Sequence, residues 1–114
     1  MADDQDSGKV LRMRLTASRA QERVRALAAD SINIKWTDHV RQRMYERGID
    51  AIDVMNILKK GVVEEAPVDG ESPGEIKVKV TRKLTSGREA GVVVVLPPNS
   101  SELVLATTEW EDLP

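Results

Sequence analysis

Two patterns that meet near Gly61 predict an α+β domain. Apolar residues recur at intervals of three and four before it, and apolar and polar residues alternate strictly in a strand-like stretch after it. Helices gathered ahead of strands, rather than alternating with them, call for N-terminal helices packed on a small, mainly antiparallel, twisted β-sheet. The chain has 114 residues, enough for a single domain with a modest core, and its lack of Phe leaves that core to Val, Leu, Ile and Met. Residues 1–9 are acidic and turn-rich and read as a disordered leader, which leaves residues 10–114 as the folded unit.

Each helix carries its own punctuation. Thr16 precedes Ala17, Ala20, Val24 and Leu27, so Thr16 to about Asp30 reads as an amphipathic helix with Arg19, Arg23 and Arg25 on its outer face. Ile32 to Trp36 alternates and reads as a short strand. Thr37 then caps a second helix. Trp36, Val40 and Met44 form its apolar stripe, His39, Arg43 and Arg47 repeat the same interval on another face, and Gly48 ends it. Asp50 caps a third helix, which buries Val54, Ile57 and Leu58, places Lys59 and Lys60 in its last turn, and stops at Gly61.

Strands follow. Val62-Val63 begins a short one that runs into an acidic loop, Ala66 to Gly74. From Glu75 to Leu84, Ile76, Val78 and Val80 point one way, and Lys77, Lys79, Thr81 and Lys83 the other. Arg82 sits at apolar parity. Burying its charge unpaired would be costly, so either the strand frays or bulges before it or Arg82 points into a polar cleft. Ser86-Gly87-Arg88 supplies a turn. Val92 to Leu96 suits a central strand covered on both faces, and Leu103 to Trp110 returns as the last strand.

Composition excludes several chemistries. With no cysteine and one histidine there is no disulfide framework, no thiolate nucleophile and no conventional zinc site, so neither metal nor cofactor is expected. Phosphate-cradling glycine loops and a Gly-x-Ser-x-Gly elbow are absent too. No stretch is long enough to span a bilayer, and the acidic start lacks the features of a signal peptide, which predicts a cytoplasmic protein without a membrane partner. The net charge of -2 hides a segregation: Lys9 to Lys60 holds twelve basic against six acidic residues, whereas Gly61 to Ile76 and Ser101 to Pro114 hold acids only. A basic face can draw an anionic partner even on an acidic protein. The alternative is that these charges simply solvate helix surfaces.

Taken together, WTDHVRQRMYERGID, LKKG, VVEE, GEIKVKV, GREAGVVVVL and TTEWED resemble the DUF4258 family of small bacterial proteins over about Leu15 to Asp112. The most specific parts are the His-x-x-x-Arg-Met-x-x-Arg-Gly-Ile pattern from His39 to Ile49 and the Thr-x-Glu-Trp-Glu-Asp end. The order of helices before an antiparallel sheet is similar to that of the RelE-like toxin ribonucleases, a BECR-type architecture. That resemblance implies RNA as a partner, metal-independent cleavage, and restraint by an antitoxin-like protein.

Metal-free RNA cleavage needs a base for the 2′-hydroxyl, positive charge for the scissile phosphate and an acid for the leaving oxygen. His39 offers an imidazole as base or acid, and Arg43 lies one turn on, about 6 Å along the axis. Arg82 and Arg88, from the hairpin, are placed to meet them across a cleft. These four are the candidate catalytic residues, and Arg47, Arg19, Arg23, Lys77 and Lys79 the candidate binding residues. The competing reading is a catalytically inert module that holds protein or nucleic acid. In it His39 is structural, and Arg43 and Arg47 pair with Glu46, Asp50 or a loop acid.

Overall fold

The computed structural model describes residues 15–112, so the leader expected at residues 1–9 lies outside the described residues. Its helices are α1 (Ala17–Ala28), α2 (Asp38–Arg47) and α3 (Ala51–Lys60). Its strands are β1 (Ile34–Trp36), β2 (Val68–Asp69), β3 (Ile76–Lys83), β4 (Glu89–Leu96) and β5 (Leu103–Trp110). Together they form an α+β fold in which N-terminal helices pack on one five-stranded sheet of order β1-β5-β4-β3-β2.

The caps act as their chemistry requires. The Thr16, Thr37 and Asp50 side chains accept from the backbone N–H groups of Arg19, Val40 and Asp53, and Asp53 answers Asp50 in a reciprocal capping box. Gly48 closes α2 at φ 68°, a left-handed conformation that glycine adopts without penalty. Gly61 closes α3 for a different reason, because its φ is -76°. A Cβ there would lie 2.5 Å from the Ile57 carbonyl oxygen and 2.6 Å from that of Thr81, so helix and sheet approach too closely for any side chain.

The core lies between the helices and one face of the sheet. Ala20, Val24 and Ala28 of α1 and Val54, Ile57 and Leu58 of α3 cover Val78 and Val80 of β3, Val92 and Val94 of β4, and Leu103 and Leu105 of β5. Fully burying a Val, Ile or Leu side chain stabilises by about 1.5–3 kcal/mol, so this layer dominates the fold. No helix among the described residues lies over the opposite face. Val93 and Val95 of β4 are only half-buried there, so the continuous apolar run of the central strand is covered fully on one side and not on both.

Two further local outcomes differ from the sequence reading, while the sheet is mainly antiparallel as expected. Ile32 belongs to a single 3-10 turn, Ser31–Asn33, because Asp30 accepts from the Ile32 N–H and starts a turn, so β1 begins at Ile34. Val62 forms an isolated bridge with Thr81 rather than a strand. β1 pairs with β5 in parallel, Ile34 opposite Leu103, while the other pairs are antiparallel. The one register shift falls between Val93 and Val94 against β5, and β3 runs unbroken through Arg82, opposite Ala90.

Beyond β1, the outer edge of β5 is covered by α2. Thr37 donates its hydroxyl to the Leu105 carbonyl at 2.7 Å, Arg47 donates to that of Thr108 at 2.6 Å, and Trp110 donates its indole N–H to the Arg47 carbonyl at 2.8 Å. Backbone groups that an open strand edge would present to other chains are bonded here within the molecule.

Candidate functional site

The four candidate catalytic residues fall in three places, His39 and Arg43 together on α2, and Arg82 and Arg88 each apart from them. His39 is exposed in the first turn of α2, near the Thr37–Leu105 bond. Leu105 stands opposite Val94, and Val94 opposite Val78. Arg82 lies four residues further along β3, about 13 Å at strand rise, and two strand spacings away, about 10 Å. His39 and Arg82 therefore do not share a hydrogen-bonding neighbourhood. Arg43 donates to Glu46 at 2.6 Å, and this bond holds the Glu46 carboxyl below its ordinary range.

Arg88 is engaged at the other end of α2. Its guanidinium bonds both oxygens of Asp112, at 3.3 and 3.4 Å, and lies 3.8 Å from the centre of the Trp110 ring. Trp110 in turn holds the last turn of α2 through Arg47. Arg47 is eight residues beyond His39, about 12 Å along the helix axis. The structure thus brings Arg47, Trp110, Arg88 and Asp112 together and leaves His39 apart from them.

Of the remaining candidate binding residues, Arg19 is exposed on α1 and Arg23 donates to the Ser100 carbonyl at 3.5 Å. Lys79 bridges two carboxylates, Glu109 of β5 at 2.9 Å and Glu111 just beyond its end at 2.7 Å, on the helix-free face of the sheet. Burial works against the Lys79 ammonium, but its bonds to Glu111 and Glu109 outweigh this and raise its pKa. Lys77 lines a cavity on the same face.

A basic cluster forms where α3 ends against β3. Arg25 donates to the carbonyls of Gly61 at 2.8 Å and Lys60 at 3.3 Å, and Arg82 donates to the same Lys60 carbonyl at 3.3 Å. Two guanidinium groups therefore converge on one oxygen. Arg82 reaches there because its apolar parity turns it toward the helix layer at the end of β3, past the last core valine, Val80. Lys60, Arg82 and Lys83 also line a concavity of about 280 Å³. Among the described residues, no carboxylate lies within 4.0 Å of Arg25, Lys60, Arg82 or Lys83. The end of α3 presents the equivalent of about half a negative charge. The three side-chain cations of the concavity exceed that several-fold, so it keeps a positive surplus. Its one acid, Asp53, is already occupied in the capping box.

Arg25, Lys60 and Lys83 were not singled out by the sequence, although Lys59 and Lys60 in the last turn of a helix, with Arg82 at the wrong parity, were the signal available. Among the described residues, no three His, Asp or Glu side chains are grouped to hold a metal ion. No helix among them is long and apolar enough to cross a membrane.

The family model of DUF4258, a domain of unknown function, matches residues 36–110. This span runs from Trp36 at the end of β1 to Trp110 at the end of β5 and includes α2, α3 and the rest of the sheet. No curated protein and no solved structure gives a significant match.

Proposed function

We propose that this chain, which belongs to the DUF4258 family, is a cytoplasmic module that binds the RNA phosphate backbone without cleaving it. The supporting observation is the surplus of positive charge at the end of α3, where Arg25, Lys60, Arg82 and Lys83 stand without a carboxylate partner. Guanidinium groups already oriented by backbone carbonyls keep further N–H donors and suit phosphate oxygens. An overall charge of -2 implies modest, strongly salt-dependent affinity rather than tight steering.

The separation of His39 from Arg82 and Arg88, and the pairing of Arg43 with Glu46, favour binding over a RelE-like nuclease mechanism. Cleavage would require a base, a phosphate clamp and an acid within reach of one scissile bond. Fluorescence anisotropy with labelled single-stranded RNA tests the proposal. Wild-type protein should bind, and Arg82→Glu with Lys83→Glu should weaken binding at least tenfold. Equal binding by wild type and variant would overturn the proposal. RNA cleavage that disappears in His39→Ala would replace it with the nuclease reading, along with the antitoxin-like partner that reading entails.

A further inference from the structure

The helix-free face of the sheet carries a cavity of about 230 Å³ where the chain leaves the β3 edge between two pairings. Val62 bridges Thr81 and Val68 pairs with Lys77, but no residue between them pairs with Lys79. The segment from Glu64 to Ala66 arches away and roofs the cavity. Ala66, Val68 and Val93 give it an apolar lining, beside Lys79 and Glu111.

Two polar atoms here are buried without a hydrogen-bond partner: Oγ1 of Thr81, a residue only 7% exposed, and Oε2 of Glu111. Buried polar groups are nearly always bonded, and leaving one unpaired costs about 1–3 kcal/mol. The other Glu111 oxygen is held by Lys79, while Oε2 is folded down over Gly91, where even a Cβ would come within 2.7 Å of it. Lys79 is shared with Glu109 and bonds only the other Glu111 oxygen. At the mouth, Glu64 and Glu65 are exposed and, among the described residues, have no ion-pair partner. Three carboxylates, Glu64, Glu65 and Glu111, thus line the cavity against two ammonium groups, Lys77 and Lys79, the second of which is shared with Glu109 outside it.

We propose that this cavity binds a small aliphatic diamine. One ammonium group enters beside Lys79, lifts the Glu111 carboxylate from Gly91, and donates to Glu111 Oε2 and Thr81 Oγ1. The methylene chain lies against Ala66, Val68 and Val93, and the second ammonium group meets Glu64 and Glu65 at the mouth. An anion would face the carboxylate surplus. A neutral apolar molecule would leave both buried oxygens unpaired. The volume is below the ~300–1,000 Å³ of drug-sized pockets, in keeping with a short ligand. This proposal does not depend on RNA binding, since the basic cluster lies at the end of α3 and involves different residues.

Calorimetric titration of the full chain with 1,5-diaminopentane, pentylamine and hexanoate tests it. The diamine should bind saturably at one site per chain at millimolar concentration, pentylamine several-fold more weakly, and hexanoate not at all. Thr81→Val, which keeps shape and removes the hydroxyl, and Glu111→Gln should each weaken diamine binding about tenfold. Circular dichroism confirms that each variant is folded, and either one alone suffices for the test. The proposal is overturned by absence of saturable binding, by equal binding of pentylamine, or by affinity unchanged in the folded variants. Loss in Glu64→Gln with Glu65→Gln alone, with Thr81→Val unaffected, would show only surface attraction and would overturn it too.

Discussion

Trp110 donates its indole N–H to the carbonyl of Arg47, 2.8 Å away, and so binds the final strand to the final turn of α2 across 63 positions of sequence. The carbonyls of a last helical turn have no partner within the helix, and this one is satisfied from outside it. The same ring carries the Arg88 guanidinium, 3.8 Å from its centre. Trp110→Phe keeps an aromatic face and removes the donor. Its unfolding free energy in urea should fall by about 1 kcal/mol. Trp110→Ala should fall further, because the packing and the cation–π contact are lost as well.

Thr37 has two roles at once, capping α2 through Val40 and bonding Leu105 on β5. Thr37→Ser retains both hydrogen bonds and should change stability little. Thr37→Val loses both and should cost about 1–2 kcal/mol in the same measurement.

Gly61→Ala places a methyl against two backbone carbonyls and the Val80 side chain, none of them the flexible end of a long chain. Thermal and urea unfolding should report a loss of about 1–3 kcal/mol, the usual scale of overpacking. Gly87→Ala meets nothing within 4 Å but is strained by its φ of 90°, so it should destabilise through backbone conformation alone.

Glu109 and Glu111 should pull the pH profile of stability in opposite directions. The bond from Lys79 holds Glu109 below its ordinary value of 4.5, so its stabilising contribution is present above 4.5 and is lost as pH falls. Burial, only partly offset by Lys79, raises Glu111 above that value. Protonated Glu111 therefore favours the fold, and this contribution fades as pH rises through the higher folded value. Glu111→Gln is neutral throughout, so its stability relative to wild type should rise with pH above 4.5. Urea unfolding at a series of pH values checks this, and a difference independent of pH would contradict it.

For RNA, the slope of log affinity against log salt should shrink by about 0.7 for each cation of the α3 cluster removed, the single-strand scale of counterion release. Arg82→Ala and Lys83→Ala should each show this, and Tyr45→Ala, on a side chain exposed on α2, should not.

What could be read in the sequence was local. Thr16, Thr37, Asp50, Gly48 and Gly61 mark the helix ends because caps depend on neighbours three or four residues away. The alternation from Ile76 to Lys83 marks β3 because one buried face dictates it. Arg82 at apolar parity left two outcomes open, a frayed or bulged strand or a polar cleft, and β3 runs unbroken with the Lys60 carbonyl as the polar partner of Arg82. Long-range partners were not legible. Nothing near Lys79 announces that Glu109 and Glu111 lie two strands away, and nothing near Arg47 announces Thr108. The expected meeting of Arg88 with His39 failed for the same reason: a turn arginine can reach several elements, and Asp112 and Trp110 are nearer.

The parallel pairing of β1 with β5 has a consequence for biogenesis. Leu105 is 68 positions after Thr37, its bonding partner, so during synthesis α2 is made long before the strand it flanks exists. Helices α1 and α3 are both synthesised before the strands of the sheet that they cover. The sheet can close only when nearly all of the described chain is free of the ribosome, and pairings this distant in sequence are slow to find. Until then, β1 and the inner face of α2 wait uncovered, and it is in that interval that the nascent chain is most in need of a chaperone.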